Sequence, residues 1–246
     1  MHTPEPNPAD RILVALDVPT LPAALALVEQ LRGRVGGFKV GLELCTAVGV
    51  PRVVEAIGAA GGSLFLDLKL KDIPNTVAAT VHTIAASYGQ YVRLLTLHCD
   101  GGTAMLQAAA EANASALQLV GVTVLTSMSE ATLHNELGIP DPLERHVVRL
   151  ARLAQAAGLA GVVASPHEVA AIRQACGPDL LIITPGVRPA WASTGDQQRI
   201  TTPAQAIQSG ADYLVIGRPI TAAPAEIGGP VAAVERIIAE LAAASK

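Results

Sequence analysis

Asp67, Lys69, Lys71 and Asp72 crowd the stretch FLDLKLKDIPNT, residues 65–76. Opposite charges this close can exchange protons or stabilise a charge that develops beside them. In an extended segment side chains alternate, so Asp67 and Lys69 share one face while Leu66, Leu68 and Leu70 share the other. The spacing therefore stands a carboxylate beside an ammonium at the end of a strand. Lys71 marks where strand yields to loop; Pro74, with its fixed φ and missing N–H, suits the first turn of a helix. Asp17 closes the run RILVALD and Lys39 lies within GGFKVGL, adding two opposite charges from the preceding strands. Burying an isolated charge is costly, so charges facing one interior must pair. Exposed ion pairs at strand ends, worth little, account for any one of these residues. Four alternating charges on three consecutive strands point instead to a working array.

A second group suits phosphate. In DYLVIGRPI, residues 212–220, Gly217 follows an apolar run and lets a ligand approach backbone N–H groups, while Arg218 adds a planar, permanently charged fork. Arg188, in TPGVRP, lies in the preceding long connection. The plainer alternative is a turn glycine beside a solvated arginine. His98 closes VRLLTLH, where a hydrogen-bonded structural role is the commoner one. The histidines show no H-E-x-x-H, and neither G-x-S-x-G nor G-x-x-x-x-G-K occurs, so a metal site, a serine hydrolase and a P-loop lack support. Cys45, Cys99 and Cys176 are odd in number and far apart, which suits small buried hydrophobes in a reducing compartment.

The elements that must position these residues form a regular series. Strand-like runs occur at 11–17, 36–42, 63–69, 92–98, 116–125, 160–165, 180–185 and 212–217. Helical periodicity occupies 21–32, 50–60, 74–87, 102–113, 143–157, 166–175, 203–209 and 230–244. Spread over 246 residues, the repeat is about 31 residues, the size of one βα module. Runs such as LLIIT and YLVIG are apolar on both faces, as in parallel strands between a helix layer and a filled interior. A single (β/α)8 barrel of the α/β class over 11–246, after a flexible N-terminal segment 1–10, fits best, with its active site at the C-terminal ends of the strands. An open doubly wound sheet shares the rhythm, but no G-x-G-x-x-G follows the first strand. Two connections are long: 126–142, predicted to hold a short extra helix, and 185–202. In a barrel both lie on the active face.

Composition narrows the function further. Half of the residues are hydrophobic, which excludes disorder. A net charge of −4, with one Trp, three Tyr and two Phe, excludes a broad basic face or a base-stacking platform for nucleic acid. The stretches 73–92 and 112–129 lack Asp, Glu, Lys and Arg but are interrupted by polar residues, unlike a membrane span. MHTPEPNPADR lacks the basic start and apolar run of a signal peptide, so a soluble cytoplasmic protein is expected.

Taken in order, DLKLKDIPNT, VTVLTSM at 122–128, TPGVRP with GDQQR at 184–199, and VIGRPI at 215–220 resemble the motifs of bacterial orotidine 5′-phosphate decarboxylases. The resemblance runs from Asp17 to about residue 221. D-x-K-x-x-D alone is shared with sugar-phosphate relatives; the later loops make the likeness specific. It implies a homodimer of barrels, a carbon–carbon lyase converting orotidine 5′-monophosphate to uridine 5′-monophosphate and CO2 in the last step of de novo pyrimidine synthesis, without metal or organic cofactor.

By motif position, the resemblance makes Lys69 the proton donor to pyrimidine C6. Lys39, Asp67, Lys69 and Asp72 become the alternating charge array, with Asp72 entering the partner subunit's site and Ile73 and Thr76 completing it there. Asp17 and Lys39 match ribose contacts, and Thr126 and Ser127 pyrimidine contacts. Arg188, Gly217 and Arg218 match phosphate contacts, and Gln197 a bridge between base and phosphate from loop 185–202. The first ten residues and Ala190, Trp191 and Ala192 are expected to vary the surroundings only.

Loss of CO2 leaves an electron pair in an sp² orbital that does not delocalise readily into the ring. An ammonium already in place can stabilise that pair and then deliver a proton. Asp67 is implied beside the departing carboxylate, where it either strains the ground state or holds Lys69 in place. Phosphate contacts remote from the broken bond can supply energy for closing loop 185–202. Two other readings stay open. One is a Mg²⁺-dependent sugar-phosphate decarboxylase or aldol-type synthase, which shares D-x-K-x-x-D but typically has an acidic residue on the strand that here carries Lys39. The other is a non-catalytic phosphate-ligand binding module, for which the charge array has no evident purpose.

Overall fold

The apolar runs close strand against strand in the computed structural model of the chain, which describes residues 7–192 and 201–244. The strands are β1 (Ile12–Ala15), β2 (Gly37–Val40), β3 (Leu64–Leu70), β4 (Val92–His98), β5 (Gln118–Val122), β6 (Gly161–Val163), β7 (Leu181–Pro185) and β8 (Tyr213–Ile216). They pair in parallel in chain order, and β8 returns to β1 with Leu13 opposite Val215, closing the barrel. Ala15 stands opposite Lys39, and Lys39 opposite Phe65, so the register brings the charged ends of the first three strands to one level.

Each strand feeds two cores, which is why its run is apolar on both faces. Ile12, Val14, Phe38, Val40 and Leu66 point outward into the core shared with the helices. Leu13, Ala15, Phe65, Leu94, Val120, Ile183 and Val215 point inward and fill the barrel. At the N-terminal ends of the strands, the Arg93 guanidinium lies 4.8 Å from the centroid of the Tyr213 ring and also donates to its hydroxyl.

The outer layer consists of α1 (Leu21–Leu31), α2 (Leu42–Val48), α3 (Val50–Ala59), α4 (Pro74–Tyr88), α5 (Thr103–Ala112), α6 (Glu130–Asn135), α7 (Leu143–Ala156), α8 (Val169–Cys176), α9 (Pro203–Gln208), α10 (Arg218–Thr221) and α11 (Gly229–Ala244). Pro74 occupies the first turn of α4 as its chemistry requires. The short helix expected within 126–142 is α6, capped by Ser129, whose hydroxyl accepts from the Thr132 amide. α9 begins with a reciprocal capping box between Thr202 and Gln205.

Several boundaries differ from the expectation. α2 lies outside the predicted helices: seven residues are too few to display helical period, and Gly49, at φ +92°, separates it from α3. α10, four residues long, has the same cause. α8 starts at Val169 rather than 166. β1, β5 and β8 stop short of Asp17, Leu125 and Gly217, because these residues leave the ladder at the barrel mouth. A 3-10 helix over Pro8–Arg11 lies partly within the stretch assigned to a flexible N-terminus. The three cysteines are free and buried, as expected, and burial pushes their thiols up, Cys99 to about 12. Among the described residues no helix is long and apolar enough to cross a membrane.

Candidate active site

The backbone of β3 departs from a regular strand where its charges lie. Leu66 pairs with Leu95 and Leu70 with Leu97, so residues 67–69 stand against the single Thr96 of β4. This is a bulge, the device by which strands re-aim side chains near active sites. Lys69 takes φ +51° and is the one non-glycine residue with positive φ among the described residues. Its amide donates to Thr96 Oγ1 at 2.7 Å, and that hydroxyl lies 3.1 Å from Asp67 Oδ1. The alternation survives the bulge: Asp67 and Lys69 face the cavity, while Leu68 packs against the outer core.

From β3 the charges extend across the mouth. Lys69 Nζ lies 2.7 Å from Asp67 Oδ2; the same oxygen is 3.8 Å from Lys39 Nζ, which lies 2.8 Å from Asp17 Oδ1. The side chains of Lys39 and Asp67 are only 11% and 13% exposed, so each requires an opposite charge close by, which Asp17 gives Lys39 and Lys69 gives Asp67. Asp17, 56% exposed, ends the chain of charges at the rim.

These groups form one wall of a cavity of about 570 Å³. Val122, Val124, Leu125, Val163, Ala164 and Val215 supply its apolar lining, and Arg188, Gly217 and Arg218 also line it. Four cations against two carboxylates make the lining suited to an anion, and its mixture of apolar and convergent polar groups suits a small molecule. The Arg188 amide donates to Thr201 O at 3.1 Å, tying together the described ends of the connection between β7 and α9. A Cβ added at Gly217 would meet the Ala15 Cβ at an ordinary 3.5 Å, so the glycine relieves no clash there; what it leaves open is the approach to its backbone, at φ −102° and ψ −109°. Among the described residues no three His, Cys, Asp or Glu side chains are grouped to hold a metal ion.

The cavity brings together Asp17, Lys39, Asp67, Lys69, Thr126, Arg188, Gly217 and Arg218. Asp72, Ile73, Thr76 and Ser127 are outside its lining. Asp72 accepts from the Ile73 amide at 2.6 Å, Ile73 is 67% exposed, and Thr76 borders an open recess along α4. Gln197 lies outside the described residues. Lys71 turns away to Asp100, 2.7 Å distant on an exposed surface. His98 is half-buried beside Asp100 at 3.7 Å; burial lowers its pKa more than Asp100 raises it.

Two lining features correct the sequence reading or extend it. Trp191 and Ala192 line the cavity, in a 3-10 helix over Ala190–Ala192, whereas these residues were expected to vary the surroundings only. A large apolar ring in a polar loop was the available signal. Thr96 lies outside the charged motifs, and its only signal in sequence is being the one hydroxyl in VRLLTLH, with the inward parity of Leu94.

Residues 10–237 match the Orotidine 5′-phosphate decarboxylase / HUMPS family. The chain is 51% identical over 240 residues to a protein of Moorella thermoacetica named orotidine 5′-phosphate decarboxylase, spanning 94% of this chain and 92% of that one. A protein of the same name from Syntrophotalea carbinolica is 51% identical over 242 residues, spanning 95% and 96% of the two chains. The crystal structure of orotidine 5′-phosphate decarboxylase from Lactobacillus acidophilus superposes with a TM-score of 0.80 at 33% identity, over 94% of this chain and 98% of that one.

Proposed function

The chain belongs to the orotidine 5′-phosphate decarboxylase / HUMPS family, and we propose that it converts orotidine 5′-monophosphate to uridine 5′-monophosphate and CO2. The observation that carries this reading is the unbroken series of ion pairs through Asp17, Lys39, Asp67 and Lys69, in a cavity that also holds Arg188 and Arg218. Cleavage of the bond from C6 to the carboxylate releases CO2 and leaves its electron pair on C6. The Lys69 ammonium stabilises that pair and transfers a proton to it; an N–H bond breaks, a C6–H bond forms, and the neutral amine regains a proton from water. Asp67 fixes the ammonium at 2.7 Å, and its charge opposes that of a substrate carboxylate placed beside it.

Asp17 and Lys39 would take ribose hydroxyls, Thr126 and Ser127 the pyrimidine edge, and Arg188, Gly217 and Arg218 the phosphate, with Gln197 bridging base and phosphate. Arginine forks suit phosphate, and contacts remote from the reacting bond contribute to the transition state. These steps use the chain's own side chains, without metal or organic cofactor. Asp72, Ile73 and Thr76, outside their own cavity, would complete that of a second copy in a homodimer; the exposed Ile73 supports such an interface. A soluble, cytoplasmic enzyme fits this reading.

The test is the loss of substrate absorbance on adding EDTA-treated protein, with Lys69→Ala as control. Metal-free decay that the control lacks is expected. Decay appearing only with added Mg²⁺, or none with folded protein, would overturn the reading. Mixing inactive Lys69→Ala and Asp72→Ala variants should restore part of the activity through hybrid dimers; no recovery would remove the shared site.

A further inference from the structure

We propose that Thr96 is a positioning residue, whose hydroxyl sets both the strained backbone of Lys69 and the plane of the Asp67 carboxylate; the inference rests on the decarboxylase reading above. Thr96 is completely buried, opposite the bulge of β3. An amide can only donate, so the Lys69 N–H, 2.7 Å from Oγ1, makes the hydroxyl an acceptor there. A carboxylate can only accept, so the single hydroxyl proton goes to Asp67 Oδ1 at 3.1 Å. One side chain thereby links the two groups at the reacting centre, and the direction of both bonds is determined.

The second carboxylate oxygen is left for the two ammonium groups, at 2.7 Å from Lys69 and 3.8 Å from Lys39. With one oxygen held by Thr96 and the other by cations, the carboxylate cannot rotate without losing a bond. On the backbone side, Lys69 sits at φ +51°, a conformation that persists only when its surroundings hold it. The Thr96 hydroxyl supplies such a hold where three residues of β3 face one of β4. Without it a part-buried amide and a part-buried carboxylate oxygen both lose a partner, and Lys69 is free to relax toward a regular strand, moving Nζ off the reacting carbon. A displacement of about 1 Å can cost about 100-fold in rate.

Thr96→Val keeps the shape and removes the hydroxyl; Thr96→Ser keeps the hydroxyl and removes the methyl. In the full-length protein the valine variant should lose about 10- to 100-fold in kcat, with KM changed by less than about threefold. The serine variant should stay within about threefold of wild type in both. Valine within about twofold of wild type, or serine falling as far as valine, would overturn the proposal. Should the valine variant not fold, serine decides: kcat within about threefold supports the role, and a loss of about tenfold or more removes it. Calorimetric binding of uridine 5′-monophosphate reports whether each variant keeps its site. An inactive wild type removes the decarboxylase reading and this one together, whereas an active wild type with an unaffected valine variant removes this one alone.

Discussion

Two part-buried ion pairs stand at opposite ends of the barrel with the same separation, 2.7 Å from Lys69 Nζ to Asp67 and 2.7 Å from Arg173 Nη2 to Asp212. They differ in what surrounds them. Arg173, on α8, also donates to the carbonyls of Gly177, Pro178, Leu180 and Gly210, and Asp212 also accepts from the Ile182 amide. Backbone groups take up the remaining bonding capacity of that pair, which fastens the loops at the closed end. The Lys69 ammonium gives one donor to Asp67 and opens onto the cavity, with its side chain 31% exposed. Distance alone does not separate a structural ion pair from a working one; the direction of the spare hydrogen bonds does.

The largest expected effect breaks the mouth pair alone. Lys69→Ala should reduce kcat by roughly 10 000-fold or more, since proton donor and electrostatic stabiliser go together. Its thermal unfolding should shift by only a few degrees, because Asp67 keeps Lys39 and Thr96. Equal loss of folding and activity would erase the distinction between the pairs.

The reciprocal experiment comes next. Arg173→Ala should lower stability in urea titration by about 2–4 kcal/mol, the partial exposure of the pair keeping it below a fully buried one. Its kcat per folded molecule should remain within about twofold of wild type. A catalytic defect without destabilisation would contradict the structural role.

Arg218→Ala sharpens the contrast within the cavity, because the arginine contributes binding away from the reacting bond. KM should rise by about 10- to 100-fold while kcat changes less, measured by steady-state kinetics. The reverse split would place Arg218 at the chemical step.

The smallest effect concerns a part-buried carboxylate outside both pairs. Glu168 accepts from the Ser165 amide at 2.9 Å, and burial, helped by the charge of Glu144, raises its pKa from 4.5 to about 7. The folded protein then binds more protons than the unfolded chain between about pH 4.5 and 7, so stability falls as pH rises through that window. Glu168→Gln should remove this slope, gaining about 1–2 kcal/mol on wild type above pH 7 relative to acid conditions, read from denaturation at several pH values. Parallel curves for the two proteins would show that this carboxylate does not titrate in that range.

Much of the site was legible because strand alternation is local. Asp67 and Lys69 had to share a face wherever the strand lay, and the pairing of four charges followed from the cost of leaving any of them buried alone. Lys71 illustrates the boundary of that logic: alternation alone would put it on the face of Asp67 and Lys69, whereas it lies beyond the end of β3 and pairs with Asp100, 29 residues later. Short elements such as α2 and α10 escaped because a period needs length to be seen.

By itself the sequence determined the βα rhythm, the two-sided apolar strands and the alternation of charge, since each is written in residues a few positions apart. Tertiary structure alone decided the 2.7 Å and 3.8 Å contacts of Asp67, the bulge opposite Thr96, the place of Trp191 in the cavity wall, and the closure of β8 on β1. The physical reason is that side-chain direction follows from the local backbone. Register and closure follow from which distant segments pack together, and they set the distances at which charges act.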